Sequence, residues 1–189
     1  MLLKTPKFWY PNSTDSQAQS PLTKALRLAL QPFSALYQLG HNTKMLMTKT
    51  QRAPLFVMCV GNVTTGGSGK TPTCIALCEL IKKYSLFSEP FFLTRGYGGN
   101  DPGPRRIKDH DTVQKVGDEP LLLASHSNTI ISVNRPWGAK KAHDLGADII
   151  IMDDGLQNLS LHKDISFLVL DGQLGLGNQK TLPSGPLRE

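Results

Sequence analysis

This chain contains no uninterrupted apolar stretch of the ~18 residues that a membrane-spanning helix needs. A bilayer-crossing segment is therefore not expected. The charged start, short apolar core and small-residue cleavage site of a secretory signal are also missing, so none is expected. Cysteine is scarce. Cys59, Cys74 and Cys78 are an odd number, and no Cys/His cluster has zinc spacing. This excludes a disulfide framework and points to buried, reduced thiols in a cytosolic compartment. Charged residues make up 19% of the chain and hydrophobic ones 39%. With 189 residues, one well-buried domain with an appendage is expected.

Acidic residues are nearly absent from the start. Residues 1–52 hold Lys4, Lys7, Lys24, Arg27, Lys44, Lys49 and Arg52 against Asp15 alone. The 14 basic and 14 acidic residues of 53–189 cancel, so the whole net charge of +6 sits in the first segment. Such an excess suits nucleic acid or an anionic membrane. No recognised nucleic-acid-binding motif accompanies it, so a nucleic-acid partner is not expected. Residues 11–20 are polar and read as irregular. Ser20-Pro21 reads as an N-cap and first-turn proline. Leu22, Leu26, Ala29, Leu30, Phe33, Leu36 and Tyr37 then recur at helical spacing. Pro32 is expected to kink or split that helix. With Trp9 and Tyr10 nearby, the segment reads as an interfacial anchor, or else as a helix packed on the core. Residues 1–52 are expected to be separable from the rest: deletion to residue 40 should leave nucleotide binding in place.

Residues 57–71 read VMCVGNVTTGGSGKT: an apolar strand, a glycine-rich turn, then Gly-Lys-Thr at a helix start. Backbone donors of Thr64, Thr65, Gly66, Gly67, Ser68 and Gly69 can form an anion nest at the helix N-terminus. Lys70 can reach β- and γ-phosphates, and the Thr71 hydroxyl can ligate Mg²⁺. The match to the strict pattern is imperfect, since Thr64 stands where a glycine is required. Thr65 stands where partitioning-type ATPases carry a lysine.

Residues 72–84 read as a helix burying Ile75, Leu77, Cys78, Leu80 and Ile81. Residues 90–94 read as a short buried strand running into Arg95-Gly-Tyr-Gly-Gly99, where Arg95 can meet a phosphate. Residues 100–115 read as an exposed excursion. Asp118 and Glu119, in VGDEP, open a helix and by position alone suit capping it. Residues 130–133 form a strand, 135–146 a helix. Residues 148–155 form a buried strand ending in Asp153 and Asp154, which suits a Mg²⁺ site at the same sheet edge. Residues 165–170 form one more strand. Alternating strands and helices imply an α/β fold with a doubly wound, mostly parallel sheet of the P-loop nucleoside-triphosphatase type. An amphipathic N-terminal helix precedes it, with the division between 1–52 and 53–189.

Taken in order, GNVTTGGSGKTP, RGYGG, VGDEPLLLA, DDGLQN and GLGNQKTLPSGPLRE make the chain resemble the tetraacyldisaccharide 4′-kinase family of lipid A biosynthesis. The resemblance covers essentially the whole chain, and Thr64 is what that family normally has. It implies ATP-dependent phosphorylation of the 4′-hydroxyl of an acylated glucosamine disaccharide 1-phosphate, with Mg²⁺, at the cytoplasmic face of the bacterial inner membrane. It implies that Lys70 and Thr71 bind ATP and Mg²⁺, that Asp153 and Asp154 serve the metal, and that Arg95 lies near the phosphates. It further implies that Asp118 helps activate the sugar hydroxyl.

Members of the family are much longer, and their second half supplies a histidine that pairs with the VGDEP aspartate. His41, His110, His126, His143 and His162 do not match that motif, and Gln157-Asn158 replaces the more usual Gln-His. Two other readings stand beside the kinase: a P-loop switch or partitioning-type ATPase, and a non-catalytic remnant that binds only nucleotide or membrane.

Overall fold

Alternating apolar side chains decide how the sheet is buried. In the computed structural model, which describes residues 6–10 and 20–189, β1 (Phe56–Gly61) pairs in parallel with β5 (Ile149–Asp153) on one side and β6 (Ile165–Leu168) on the other. β2 (Pro90–Thr94) lies between β5 and β4 (Thr129–Ile131), again in parallel. The two-residue β3 (Arg105–Arg106) closes the far edge antiparallel to β4. The strand order is β3-β4-β2-β5-β1-β6. The expected doubly wound, mostly parallel sheet is thus present.

Side chains on successive strand positions point to opposite faces. Val57, Cys59, Phe91, Leu93, Ile150 and Met152 pack on one face with Ala139 and Ala142 of α5 (Arg135–Asp144). Met58, Val60, Phe92, Ile149 and Ile151 pack on the other. There they meet Cys74, Cys78 and Ile81 of α2 (Lys70–Lys83) and Leu123 of α4 (Asp118–Ala124). Leu80 does not join this layer. It stays 48% exposed, because Cys74, Cys78 and Ile81 already define the inward face at spacings of four and three. All three cysteines are free and buried.

The stretch 100–115 departs from an exposed excursion. It supplies β3 and the short α3 (Val113–Val116), and it buries Ile107 and Asp111. The cause is charge pairing. Arg105 Nη1 and Nη2 donate to Asp111 Oδ2 and Oδ1 at 2.7 and 2.9 Å, and Nε donates to Asp101 Oδ2 at 2.6 Å. A paired carboxylate can be buried where a lone one cannot.

The chain divides into two compact units. The sheet belongs to the unit made of Lys49–Gly61 and Gly69–Val169. The other comprises Met1–Thr48, Asn62–Ser68 and Leu170–Glu189. Its main element is α1 (Pro21–Met47), capped by Ser20, whose hydroxyl accepts from Thr23 N at 3.3 Å. The polar run at 11–19, with Asp15, lies outside the described residues, as does Lys4. Pro32 does not split α1. The carbonyl it deprives of a donor belongs to Leu28, which is exposed and open to water.

The burial of α1 is the reverse of a core-packed helix. Ser34 is its only buried residue. Leu22, Leu28, Phe33, Leu36 and Leu39 are all exposed by more than half. The face turned to the rest of its unit is polar: Arg27 donates to Phe8 O, and Ser34 and Tyr37 donate to the chain's last residues. Trp9 is likewise engaged inside this unit, its indole N–H donating to Pro183 O at 3.1 Å. Among the described residues no helix is long and apolar enough to cross a membrane.

Candidate active site

Four strands of the sheet, β1, β2, β4 and β5, lead to functional side chains at its C-terminal edge, where ligands bind in open α/β sheets. After β1 comes the glycine-rich loop. Gly66 and Gly69 have φ of 118° and 81°, in the left-handed region that disfavours a side chain. Gly67 is different: its φ is not positive, and a methyl group there would meet nothing within 4 Å. The protein's own packing does not demand glycine at 67. The Ser68 hydroxyl oxygen is buried without a hydrogen-bond partner, a mark of an incomplete polar environment. Two loop residues are already engaged. Thr65 N–H donates to Pro186 O at 2.8 Å, and Thr64 is buried, bridged to Leu187.

In the unit that holds the sheet, α2 and β5 meet at a specific pair. Thr71 Oγ1 donates to Asp153 Oδ2 at 3.0 Å. Asp153 is 2% exposed, and its Oδ1 has no hydrogen-bond partner apart from the weak Cys74 thiol. Burial raises the Asp153 pKa, the Thr71 hydrogen bond opposes that, and neighbouring Asp154 adds to it. A buried carboxylate with an unsatisfied oxygen beside a threonine hydroxyl is suited to a hard divalent cation. Among the described residues no three His, Cys, Asp or Glu groups converge on a metal.

The two aspartates that end β5 part company. Asp154, with φ of 49°, turns to Lys70, whose Nζ lies 3.9 Å from its Oδ1. Asp153, Asp154, Lys70 and Thr71 therefore form one group. Asp118 is exposed at the start of α4, and its Oδ1 accepts from Glu119 N at 2.9 Å. Arg95 is exposed just beyond β2, its guanidinium lying 5.3 Å from the centre of the Tyr97 ring.

Two residues join this site that sequence reasoning did not select. The Glu119 carboxyl pKa is raised, first by burial, then by the negative charges of Asp153 and Asp118. Arg135, at the first turn of α5, is 3% exposed and donates to Ser132 O at 2.7 Å. Burial pushes its pKa down to about 10, with repulsion from Arg95 next and attraction from Asp153 and Asp154 opposing. A buried cation among these groups is suited to an anion. Its signal in the sequence was its place, directly after a strand's C-terminal end. Two clefts, of 670 and 520 Å³, open at the other end of the sheet, beside Pro90 and Thr129 where β2 and β4 begin. None of the charged residues named for this site lines them.

The parallel sheet and the Lys70-Thr71/Asp153 pairing, with Gly-rich residues directly before Lys70 in the sequence, define a P-loop α/β domain of the kinase type. Residues 26–189 match the family described as tetraacyldisaccharide-1-P 4′-kinase. The chain belongs to that family. It is 45% identical over 188 residues to the tetraacyldisaccharide 4′-kinase of Methylobacterium sp. (strain 4-46), covering 98% of this chain and 53% of that protein. It is 45% identical over 189 residues to the Parvibaculum lavamentivorans protein of the same name, covering 99% and 53%. A crystal structure of LpxK from Aquifex aeolicus in complex with ATP aligns with a TM-score of 0.74 at 32% identity, covering 87% of this chain and 54% of that one. The chain thus spans about half the length of the curated relatives it matches.

Proposed function

We propose that this chain carries the ATP-binding half of a kinase that phosphorylates the 4′-hydroxyl of an acylated glucosamine disaccharide 1-phosphate. The observation that carries this reading is the 3.0 Å bond from Thr71 to Asp153, with Lys70 beside Asp154. The family membership supports the substrate and does not favour a switch ATPase. Backbone donors around Gly66–Gly69 hold the triphosphate, and Lys70 leaves Asp154 to meet the β- and γ-phosphates. Thr71 and Asp153 are the residues that would hold Mg²⁺. When bound, that ion supplies neutralisation of phosphate charge. Arg95 and Arg135 add positive charge at the same edge.

The transfer makes a bond from the 4′-oxygen to the γ-phosphorus. The bond from that phosphorus to the β–γ bridging oxygen breaks, and ADP leaves. The hydroxyl proton passes to the Asp118 carboxylate, which is exposed and so accessible to a substrate. The remaining work is positioning and charge complementarity, as expected for phosphoryl transfer. Residues 1–52 supply the side chains that would meet the membrane surface, and 53–189 the groups that would meet the reacting phosphates. The exposed apolar side chains of α1, with its excess of basic residues, support peripheral binding to an anionic membrane at the cytoplasmic face.

The test is incubation with Mg·ATP and a tetraacyldisaccharide 1-phosphate, followed by mass measurement of the bisphosphate, with Lys70→Ala as control. It is repeated on this chain joined to the second half of a relative. Absence of product from both would overturn the reading.

A further inference from the structure

The segment LPSGPLRE at 182–189 has no part in the nucleotide chemistry above, yet a dense set of hydrogen bonds holds it. Leu182 N donates to Leu187 O at 2.9 Å, Leu187 N to Lys180 O at 3.1 Å and Gly185 N to Thr181 O at 3.0 Å. These close residues 180–189 into a compact strap. Gly185 has no room for a side chain, since an added Cβ would fall 2.1 Å from Asn178 Oδ1 and 2.2 Å from Lys180 O.

One side of the strap holds the glycine-rich loop. Thr65 N donates to Pro186 O at 2.8 Å, Arg188 N donates to Val63 O at 2.7 Å, and Thr64 bridges Leu187 in antiparallel fashion. The other side is fastened to α1. Ser34 Oγ donates to Thr181 O at 2.9 Å and accepts from Ser184 N at 3.1 Å. Tyr37 OH donates to Arg188 O at 2.9 Å, and His41 Nε2 lies 3.7 Å from Glu189. Ser34 is the one buried residue of a 27-residue helix, and both of its strap contacts are buried.

We propose that residues 180–189 are a positioning strap for the phosphate loop, fastened to α1 through Ser34. The inference rests on reading Thr64–Thr71 as the loop that binds the triphosphate. The physical reason is preorganisation: a loop of three glycines is conformationally free, and binding an anion with its backbone donors requires that freedom to be removed beforehand. The strap removes it by pairing the two loop residues that precede the glycines. Helix α1 is therefore not a separable anchor. Its polar face sets nucleotide affinity, while its apolar face remains available to a membrane.

The experiment uses the full chain and titrates Mg·ATP, inorganic tripolyphosphate and adenosine against wild type and variants Ser34→Ala, Ser34→Thr, Tyr37→Phe and Lys70→Ala. Ser34→Ala is expected to weaken ATP and tripolyphosphate about tenfold and to leave adenosine unchanged. Ser34→Thr, which keeps the hydroxyl, is expected to restore binding. Tyr37→Phe removes one exposed contact and is expected to weaken the same two ligands two- to threefold, which decides the matter if Ser34→Ala does not fold. Wild-type affinities in Tyr37→Phe and in any folded Ser34→Ala, with Lys70→Ala still losing ATP, overturn the strap. A wild type that binds neither ATP nor tripolyphosphate overturns the phosphate-loop reading itself.

Discussion

Thr71 and Asp153, 82 residues apart in sequence, are joined by a 3.0 Å hydrogen bond from the threonine hydroxyl to the carboxylate. That bond ties the first turn of α2 to the last residue of β5. Its neighbour Asp154 turns the other way, to Lys70. Two adjacent acids thus hold different partners, and this separates their expected roles.

Lys70→Ala is expected to lower Mg·ATP affinity at least about tenfold, or 1.4 kcal/mol, with the fold intact. The compact cation lies at the end of the glycine loop, half-buried beside Asp154. Nucleotide titration together with circular dichroism checks this. Unchanged affinity in a folded variant would contradict the assignment.

Asp153→Asn is expected to reduce the Mg²⁺ dependence of nucleotide binding about tenfold or more. Asp154→Asn is expected to change it less, since that carboxylate faces Lys70. Asp118→Asn should leave nucleotide binding near wild type and damage transfer, as a proton acceptor would. Titrations over a range of Mg²⁺ concentrations measure the first two, and transfer in a chain joined to a relative's second half measures the third. Equal effects of all three on nucleotide affinity would refute this division.

Leu22, Leu36 and Leu39 lie exposed on α1. The chain is expected to co-sediment with anionic vesicles, less so at high salt, because each basic residue contributes up to ~1 kcal/mol near such a surface and is screened. The apolar part, worth about 25 cal/mol per Å² buried, is not screened. Changing the three leucines to serine should therefore remove the salt-resistant fraction. Failure of the unaltered chain to bind at low salt would assign the exposed stripe to something other than an anionic membrane.

Asp111 tests the brace within 100–116. The Arg105 guanidinium grips both oxygens and holds its carboxyl well below the usual range. A depressed folded pKa gives stability that is fully present above the unfolded value, ~3.9, starts to fall away below it and is lost as pH passes the folded value. Asp111→Asn is expected to cost about 1.5–3 kcal/mol at neutral pH. The deficit should shrink below pH ~4. Urea unfolding at pH 7 and pH 3 measures both, and an equal deficit at the two values would contradict the mechanism.

The sequence by itself determined the elements whose chemistry is local. An apolar run followed by Gly-Lys-Thr made β1, the loop and α2 legible, and an apolar run ending in two aspartates made β5 legible. Continuous apolar strands alternating with helices were enough to imply a sheet covered on both faces. Tertiary structure alone decided which partners meet. It set Asp153 on Thr71 and Asp154 on Lys70, because that depends on β5 lying beside β1 rather than on either motif. It brought Arg135 to the site through β4, and it turned 100–115 inward through the Arg105–Asp111 pair. It also decided the sense of α1. Helical spacing shows that a stripe exists but not which way it faces. Here the polar side was claimed by hydrogen bonds from Ser34 and Tyr37 to a strap more than a hundred residues away, and the apolar side was left to the solvent.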